Sequence, residues 1–262
     1  KAFVLGGIEI DLTSTTDQIT TFNGSANALV QKGFENVDVS GVTGSFGAQI
    51  TAIKGGSTIT GTANADVIDG GAGVDVIVGG DGNDTISGGA LGDTITGGVG
   101  DDTITLSGAD TVKFSGATAA LNGADTITGH TSDAVLDFGF LNTGALINGT
   151  AGGAITLNST SALATSGTTI AVADERVILV EVALEAGIDT AAEVITALTN
   201  TGVADAVDFA ANADAILIIG GADDDTTTYI YGIDNDGTDA IATGEIVLLG
   251  TITTDISGGI NG

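Results

Sequence analysis

The chain has 262 residues, enough for one large or two ordinary domains, and it carries 34 acids against five bases for a formal net charge of -29. So anionic a surface repels nucleic acid and anionic lipid and attracts cations. The absence of Cys excludes disulfides and thiolate chemistry, while 42% hydrophobic residues and a mean hydropathy of +0.40 argue for a folded chain over a disordered one.

With 43 Gly and ten aromatics, the expected shape is thin and sheet-rich. No apolar run reaches membrane-span length, and no N-terminal signal peptide is visible. There is no Met, even at residue 1, so the chain reads as a processed or truncated C-terminal piece of something larger.

Residues 1–54 hold short β-type runs, Val4–Leu5, Ile8–Leu12 and Val37–Val39, separated by Gly, Asn and Ser. An irregular solenoid without metal is expected here, a small independent sandwich being the alternative. Ser57 and Ile59 sit nine residues before Asp66 and Ile68, so a rhythm begins with a rung that lacks its acid.

From Gly61 to Thr105 nine-residue units follow one another without insertion: GTANADVID, GGAGVDVIV, GGDGNDTIS, GGALGDTIT and GGVGDDTIT. Asp66, Asp75, Asp84, Asp93 and Asp102 hold the sixth place, and Ile68, Ile77, Ile86, Ile95 and Ile104 the eighth. The glycine-rich six residues predict a turn and the last three a short strand with the Ile inward, a setting that suits β-branched side chains. One unit makes half a coil, so units 18 residues apart stack on the same side, about 4.8 Å apart. Asp66, Asp84 and Asp102 then form one column and Asp75 and Asp93 the other. Carboxylates at that distance repel unless a cation lies between them. Oxygen donors from these acids and from the carbonyls of turn glycines (Gly71, Gly73, Gly80, Gly82, Gly89, Gly98 and Gly100) select a hard ion with six to eight contacts, calcium before magnesium. Three to five ions are expected. Folding and ion binding should be one event, because the apolar interior is barely one Ile wide. The plainer alternative, acids that merely solvate turns, is disfavoured by five acids in fixed register with glycines.

Departures from the pattern carry expectations too. Leu91 stands at the fourth place with Gly92 one step late, which predicts a distorted site at Asp75 and Asp93. Asn64 and Ala65 make the first unit degenerate. Asp110 follows Asp102 by eight residues instead of nine and ends the strict register, and Phe114 is expected to cap the exposed end of the roll.

The pattern G-G-x-G-x-D-x-U-x resembles the calcium-binding repeat of RTX proteins. The resemblance implies a parallel β-roll, and Phe34-Glu35-Asn36-Val37-Asp38 is similar to the segment leading into such arrays. In that family, segments like Ala124–Phe140 leave the roll for a terminal domain, and a helix with hairpins at the end resembles a region carrying an uncleaved type I secretion signal.

Beyond the array, 106–170 is rich in Gly, Thr, Ser and Asn, and Asp125-Thr126-Ile127-Thr128 echoes a repeat strand without its glycine pair. Ile170–Val182 is a long apolar strand candidate broken by Asp174, Glu175 and Arg176. The capping box Thr190-x-x-Glu193 predicts a helix over about 190–200. Ala213–Ile219, Thr226–Ile233 and Glu245–Ile252 read as strands, the last two a hairpin. Their loop places Asp234, Asp236, Thr238 and Glu245 at EF-hand-like spacing, but with Gly237 at the fourth place and Asp239 where the glycine should stand. A calcium-binding turn at Asp234, Asp236 and Asp239 and a merely acidic exposed turn both stay open. The run Asp223-Asp224-Asp225 reads more readily as a solvated loop.

The expected fold is therefore mainly all-β: a solenoid over 1–115 with a calcium-binding β-roll at about 55–115, then a β-rich C-terminal domain over 116–262 with one short helix and a terminal hairpin. Catalysis is not expected. His130 is the single histidine, and no nucleophile elbow, phosphate loop or dinucleotide fingerprint occurs. Carboxylate pairs abound, but the scarcity of aromatics leaves no sugar-stacking platform.

Three functional readings follow. The Thr/Ala/Gly-rich composition without Cys, Met, Pro or Trp resembles surface-layer proteins built on RTX arrays, which implies an extracellular coat on the cell surface. Its partners would be calcium, copies of itself in a lattice and outer-membrane polysaccharide held through a part not in this chain, with no nucleic acid and no transmembrane segment. The alternatives are the C-terminal part of a large adhesin, and the export module of a secreted hydrolase.

Overall fold

Each repeat contributes one short strand, and consecutive repeats send their strands to opposite sheets. The computed structural model describes residues 7–15, 18–22, 25–26, 35–52, 55–116, 118–129 and 133–138, together with 154–156, 170–172, 176–181, 207–209, 215–220, 227–233 and 245–253. The chain divides into two units, Lys1–Lys113 with Asp125–Val135, and Phe114–Ala124 with Leu136–Gly262. Residues 125–135, assigned from the sequence to the second domain, thus fall with the first.

The first unit holds β1 (Ile8–Asp11), β2 (Ile19–Phe22), β3 (Ser25–Ala26), β4 (Val37–Asp38), β5 (Ala48–Thr51), β6 (Thr58–Thr60) and β7 (Val67–Asp69). It continues with β8 (Val76–Asp81), β9 (Thr85–Ser87), β10 (Thr94–Val99), β11 (Thr103–Thr105), β12 (Thr111–Lys113) and β13 (Asp125–Thr128). One sheet runs β13-β11-β9-β7-β5-β1-β2-β3 and the other β12-β10-β8-β6-β4. Every neighbour pair is parallel except β1–β2 and β2–β3, where an antiparallel meander forms the edge. The described residues between 7 and 52 therefore continue the solenoid, as β1, β4 and β5 join its two sheets, in place of a separate sandwich.

Register follows the isoleucines. Ile10, Ile50, Ile68, Ile86, Ile104 and Ile127 lie opposite one another along one sheet. Val37, Ile59, Ile77, Ile95 and Val112 do so along the other. Ile50, Ile59, Ile68, Ile77, Ile86, Ile95, Ile104 and Ile127 are at most 1% exposed, so the roll's interior is two columns of stacked branched side chains. Burying one such side chain contributes about 1.5–3 kcal/mol, which leaves a single rung little else to hold it. The flanking seventh-place residues Val67, Val76, Thr85 and Thr103 point to solvent, as the two-residue period of a strand requires.

The second unit contains α1 (Ala119–Asn122), β14 (Val135–Asp137), which starts at the last residue of the first, β15 (Ala154–Thr156), β16 (Ile170–Val172) and β17 (Arg176–Glu181). After them come β18 (Val207–Phe209), β19 (Ala215–Gly220), β20 (Thr228–Ile233) and β21 (Ile246–Ile252). Strands β17 and β19 are parallel, β19–β20–β21 form an antiparallel meander, and β16 pairs in parallel with β18. The expected terminal hairpin is β20–β21, and the described residues of the apolar run at 170–182 form β16 and β17. Asn122 ties down α1: its Oδ1 accepts from Ser115 N at 2.6 Å and its Nδ2 donates to Gly116 O at 2.6 Å. Phe114, expected as a cap on the roll, falls in the second unit. It is buried there, its ring stacked on Phe138 at 4.9 Å. Among the described residues α1 is the one helix, and no helix is long and apolar enough to cross a membrane. The helix expected at 190–200, His130, the run 223–225 and the loop acids Asp234, Asp236 and Asp239 lie outside the described residues.

Candidate metal centre

The sixth-place acids stack as their 18-residue spacing requires. In the first column, Ala48 N donates to Asp66 Oδ1 at 2.5 Å, Asp66 N to Asp84 Oδ1 at 2.8 Å and Asp84 N to Asp102 Oδ1 at 2.7 Å. In the second, Ser57 N donates to Asp75 Oδ1 at 2.6 Å and Asp75 N to Asp93 Oδ1 at 2.8 Å. The carboxylates were expected to face one another across an ion. Instead one oxygen of each is taken up by the peptide N–H of the rung before. That bond uses an acceptor on a short stem, which Asp supplies at this place.

Two further acids complete the columns. Asp110 Oδ1 accepts from Asp93 N at 2.9 Å, and Asp125 Oδ1 accepts from Asp102 N at 3.0 Å. Asp110 therefore does not end the register. Its unit is one residue short in the turn, and the strand β12 falls back into line. Asp125 had a visible signal in its Asp-Thr-Ile-Thr strand, but 23 residues separate it from Asp102 and α1 lies in the insertion, so the nine-residue count lost it. All seven acids are buried, at most 3% exposed.

The other carboxylate oxygen is the chemically open one. Oδ2 of Asp75, Asp84, Asp93 and Asp102 is buried with no hydrogen-bond partner. A buried polar atom left unsatisfied costs about 1–3 kcal/mol, more if charged. Burial pushes the carboxyls up: Asp84 and Asp125 to about 8, Asp93 and Asp102 to about 6, with Asp66 and Asp75 also raised. For Asp84, the neighbouring charges of Asp102, Asp66 and Asp81 add to the effect of burial. Hydrogen bonds from the stacked N–H groups pull the other way and lose.

A divalent cation answers both problems, since it supplies the missing partner and removes the like-charge repulsion. Among the described residues no three acidic or imidazole side chains converge on a point, so most donors would be backbone carbonyls. The turns are built for that. Gly71, Gly80, Gly82, Gly89, Gly98 and Gly100 all take positive φ, which turns their peptides as an L-residue rarely can. At Gly98 (φ +121) a side chain would also drive into the carbonyl oxygen of Gly80 on the rung before. Gly73 keeps ordinary φ, yet a Cβ there would lie 2.5 Å from Gly56 N. Leu91 adopts φ +82, the left-handed backbone of the glycine it replaces. The Asp75–Asp93 bond is consequently intact at 2.8 Å, and the distortion expected at that site is absent. These donors, carboxylate and carbonyl oxygens around buried orphan atoms, fit a hard ion such as calcium.

Compared with known families, the chain matches the model of the RTX calcium-binding nonapeptide repeat over residues 54–86 and 87–113. Neither a search of curated proteins nor one of solved structures returned a match. The matched residues, which hold the rungs β6 to β12, are thus RTX repeats, a kind of repeat that binds calcium.

Proposed function

We propose that this chain is a secreted, calcium-dependent structural protein of the bacterial cell surface that assembles laterally as a surface-layer coat. The observation that carries the calcium part is the set of four buried, unpartnered oxygens on Asp75, Asp84, Asp93 and Asp102. Calcium held there by these oxygens and by turn carbonyls would lock rung to rung, so that the thin roll becomes stiff only where calcium is plentiful, as it is outside the cell. Secretion is supported by the RTX repeats themselves. The coat is supported by a Thr/Ala/Gly-rich chain without Cys, Met, Pro or Trp, and by a net charge of -29 that calcium could bridge between copies. The role is structural and not catalytic.

Electron microscopy of the purified protein, with calcium and with EGTA, tests the reading. Ordered two-dimensional arrays that dissolve in EGTA support the coat. Isolated rods in calcium contradict it and favour a stalk.

A further inference from the structure

The acids of the two columns are not equivalent, and the difference lies in the second residue of each turn. In the inner units that place is Gly71, Gly80, Gly89 or Gly98, with φ between +88 and +121. The four acids that follow, Asp75, Asp84, Asp93 and Asp102, are the four with an unpartnered Oδ2. In the first unit the second place is Thr62. Its N donates to Asp66 Oδ2 at 2.6 Å and its Oγ1 to Asp66 Oδ1 at 2.9 Å.

The sixth unit repeats this arrangement. Leu106 N donates to Thr128 O, as Gly61 N does to Val78 O, Gly70 N to Ser87 O and Gly88 N to Thr105 O, so Leu106 holds the first place and Ser107 the second. Ser107 N then donates to Asp110 Oδ2 at 2.9 Å. Among the described residues Leu91 is the one non-glycine with positive φ, so Thr62 and Ser107 both keep an ordinary backbone. That backbone aims the N–H at the carboxylate. A glycine at positive φ turns it away.

We propose that the second-place residue decides whether a rung requires an ion, and that Thr62 and Ser107 make Asp66 and Asp110 metal-free rungs, one at an end of each column. The physical reason is valence. At Asp66 and Asp110 both carboxylate oxygens already accept hydrogen bonds from the protein, so the carboxylate is satisfied without an ion. At the inner rungs an ion displaces nothing. Each column thus has one rung satisfied by the chain itself, Asp66 at the start of the first and Asp110 at the end of the second, for ion-driven folding to build on. This rests on the reading of the array as a calcium centre.

Counting bound calcium on the full chain by native mass spectrometry and calorimetric titration tests it, with wild type beside Asp66→Asn, Asp110→Asn, Asp84→Asn, Thr62→Gly and Ser107→Gly. Asp66→Asn and Asp110→Asn should keep the wild-type ion count and affinity within about threefold, whereas Asp84→Asn should lose an ion or weaken binding at least tenfold. Thr62→Gly and Ser107→Gly should each bind one more ion than wild type. Loss of ions from Asp66→Asn and Asp110→Asn equal to that from Asp84→Asn overturns the proposal, as does an unchanged count in both glycine variants. A wild type that binds no calcium overturns the calcium reading itself. If a variant at residue 66 or 110 does not fold, the glycine pair decides alone.

Discussion

The backbone N–H of Asp84 lies 2.7 Å from Oδ1 of Asp102, eighteen residues further on. The same carboxylate leaves its Oδ2 buried and unpartnered. One half of the side chain therefore holds the roll together without metal, and the other half asks for it. This division separates two contributions that a mutation at an array acid would otherwise mix.

Asp84→Ala should accordingly cost more stability in calcium than in EGTA, and Asp110→Ala about the same in both. In EGTA Asp84→Ala removes the acceptor of the Asp66 N–H and Asp110→Ala those of the Asp93 and Ser107 N–H groups, at about 1–3 kcal/mol for a buried one. In calcium only Asp84→Ala should also forfeit ion-linked stability, about 2.7 kcal/mol for a site at ~100-fold its dissociation constant. Thermal melts of both variants in both buffers check this. An equal shift of Asp84→Ala in the two buffers would count against the assignment.

The columns were legible in the sequence because acid, glycine and Ile recur at nine, and a strand period of two then fixes which side chain is inward. Asp75, Asp93 and the rung at Ser57 and Ile59 fell where the count put them. What the count could not carry was a change of spacing. Asp110 and Asp125 rejoin the stack after a deletion and an insertion in the turns, where length is free to vary as long as the strand returns to register. Nor did spacing show that a peptide N–H, not a second carboxylate, would take up one oxygen of each acid. Leu91 was read as a defect, but an exposed residue can bear left-handed backbone when the neighbouring hydrogen bonds hold it. Asp234, Asp236 and Asp239 lie outside the described residues, so the loop stands as the sequence left it.

The buried acids set a pH dependence whose sign reverses with metal. Asp84 and Asp125 are raised to about 8 and Asp93 and Asp102 to about 6 from an ordinary 3.8, chiefly by burial. The fold therefore holds these protons more tightly than the unfolded chain does. Metal-free stability is greatest below about pH 4 and is lost as the pH rises through 6 to 8. Calcium competes with the same protons, so its affinity should climb over that interval. Melts in EGTA at pH 4.5 and pH 8, taken as about the two ends of the window, should give the higher midpoint at the acid end.

Gly98→Ala should destabilise the roll by more than the ordinary ~1 kcal/mol effect of a substitution, because φ is +121 and the new methyl meets the carbonyl of Gly80. Ala72→Gly, in a turn without that constraint, is the control. Denaturant unfolding in calcium measures both, and near-equal midpoints would contradict the close approach of the two turns.

Leu91→Gly should stabilise. The Leu is 59% exposed, so little apolar burial is lost, and a non-glycine at φ +82 carries about 1–2 kcal/mol of strain. Offset by the greater freedom of glycine in the unfolded chain, a net gain of about 0.5–1 kcal/mol is expected from the same unfolding measurement. A loss of stability would mean that the Leu side chain contributes a contact worth more than its backbone strain.

The most direct test is the melting of the wild-type chain, followed by circular dichroism at neutral pH in excess calcium and in excess EGTA. Four buried carboxylate oxygens without a partner require that β-structure melt far lower, or be absent, in EGTA and return in full when calcium is added back. An unchanged melting curve in EGTA would contradict the account.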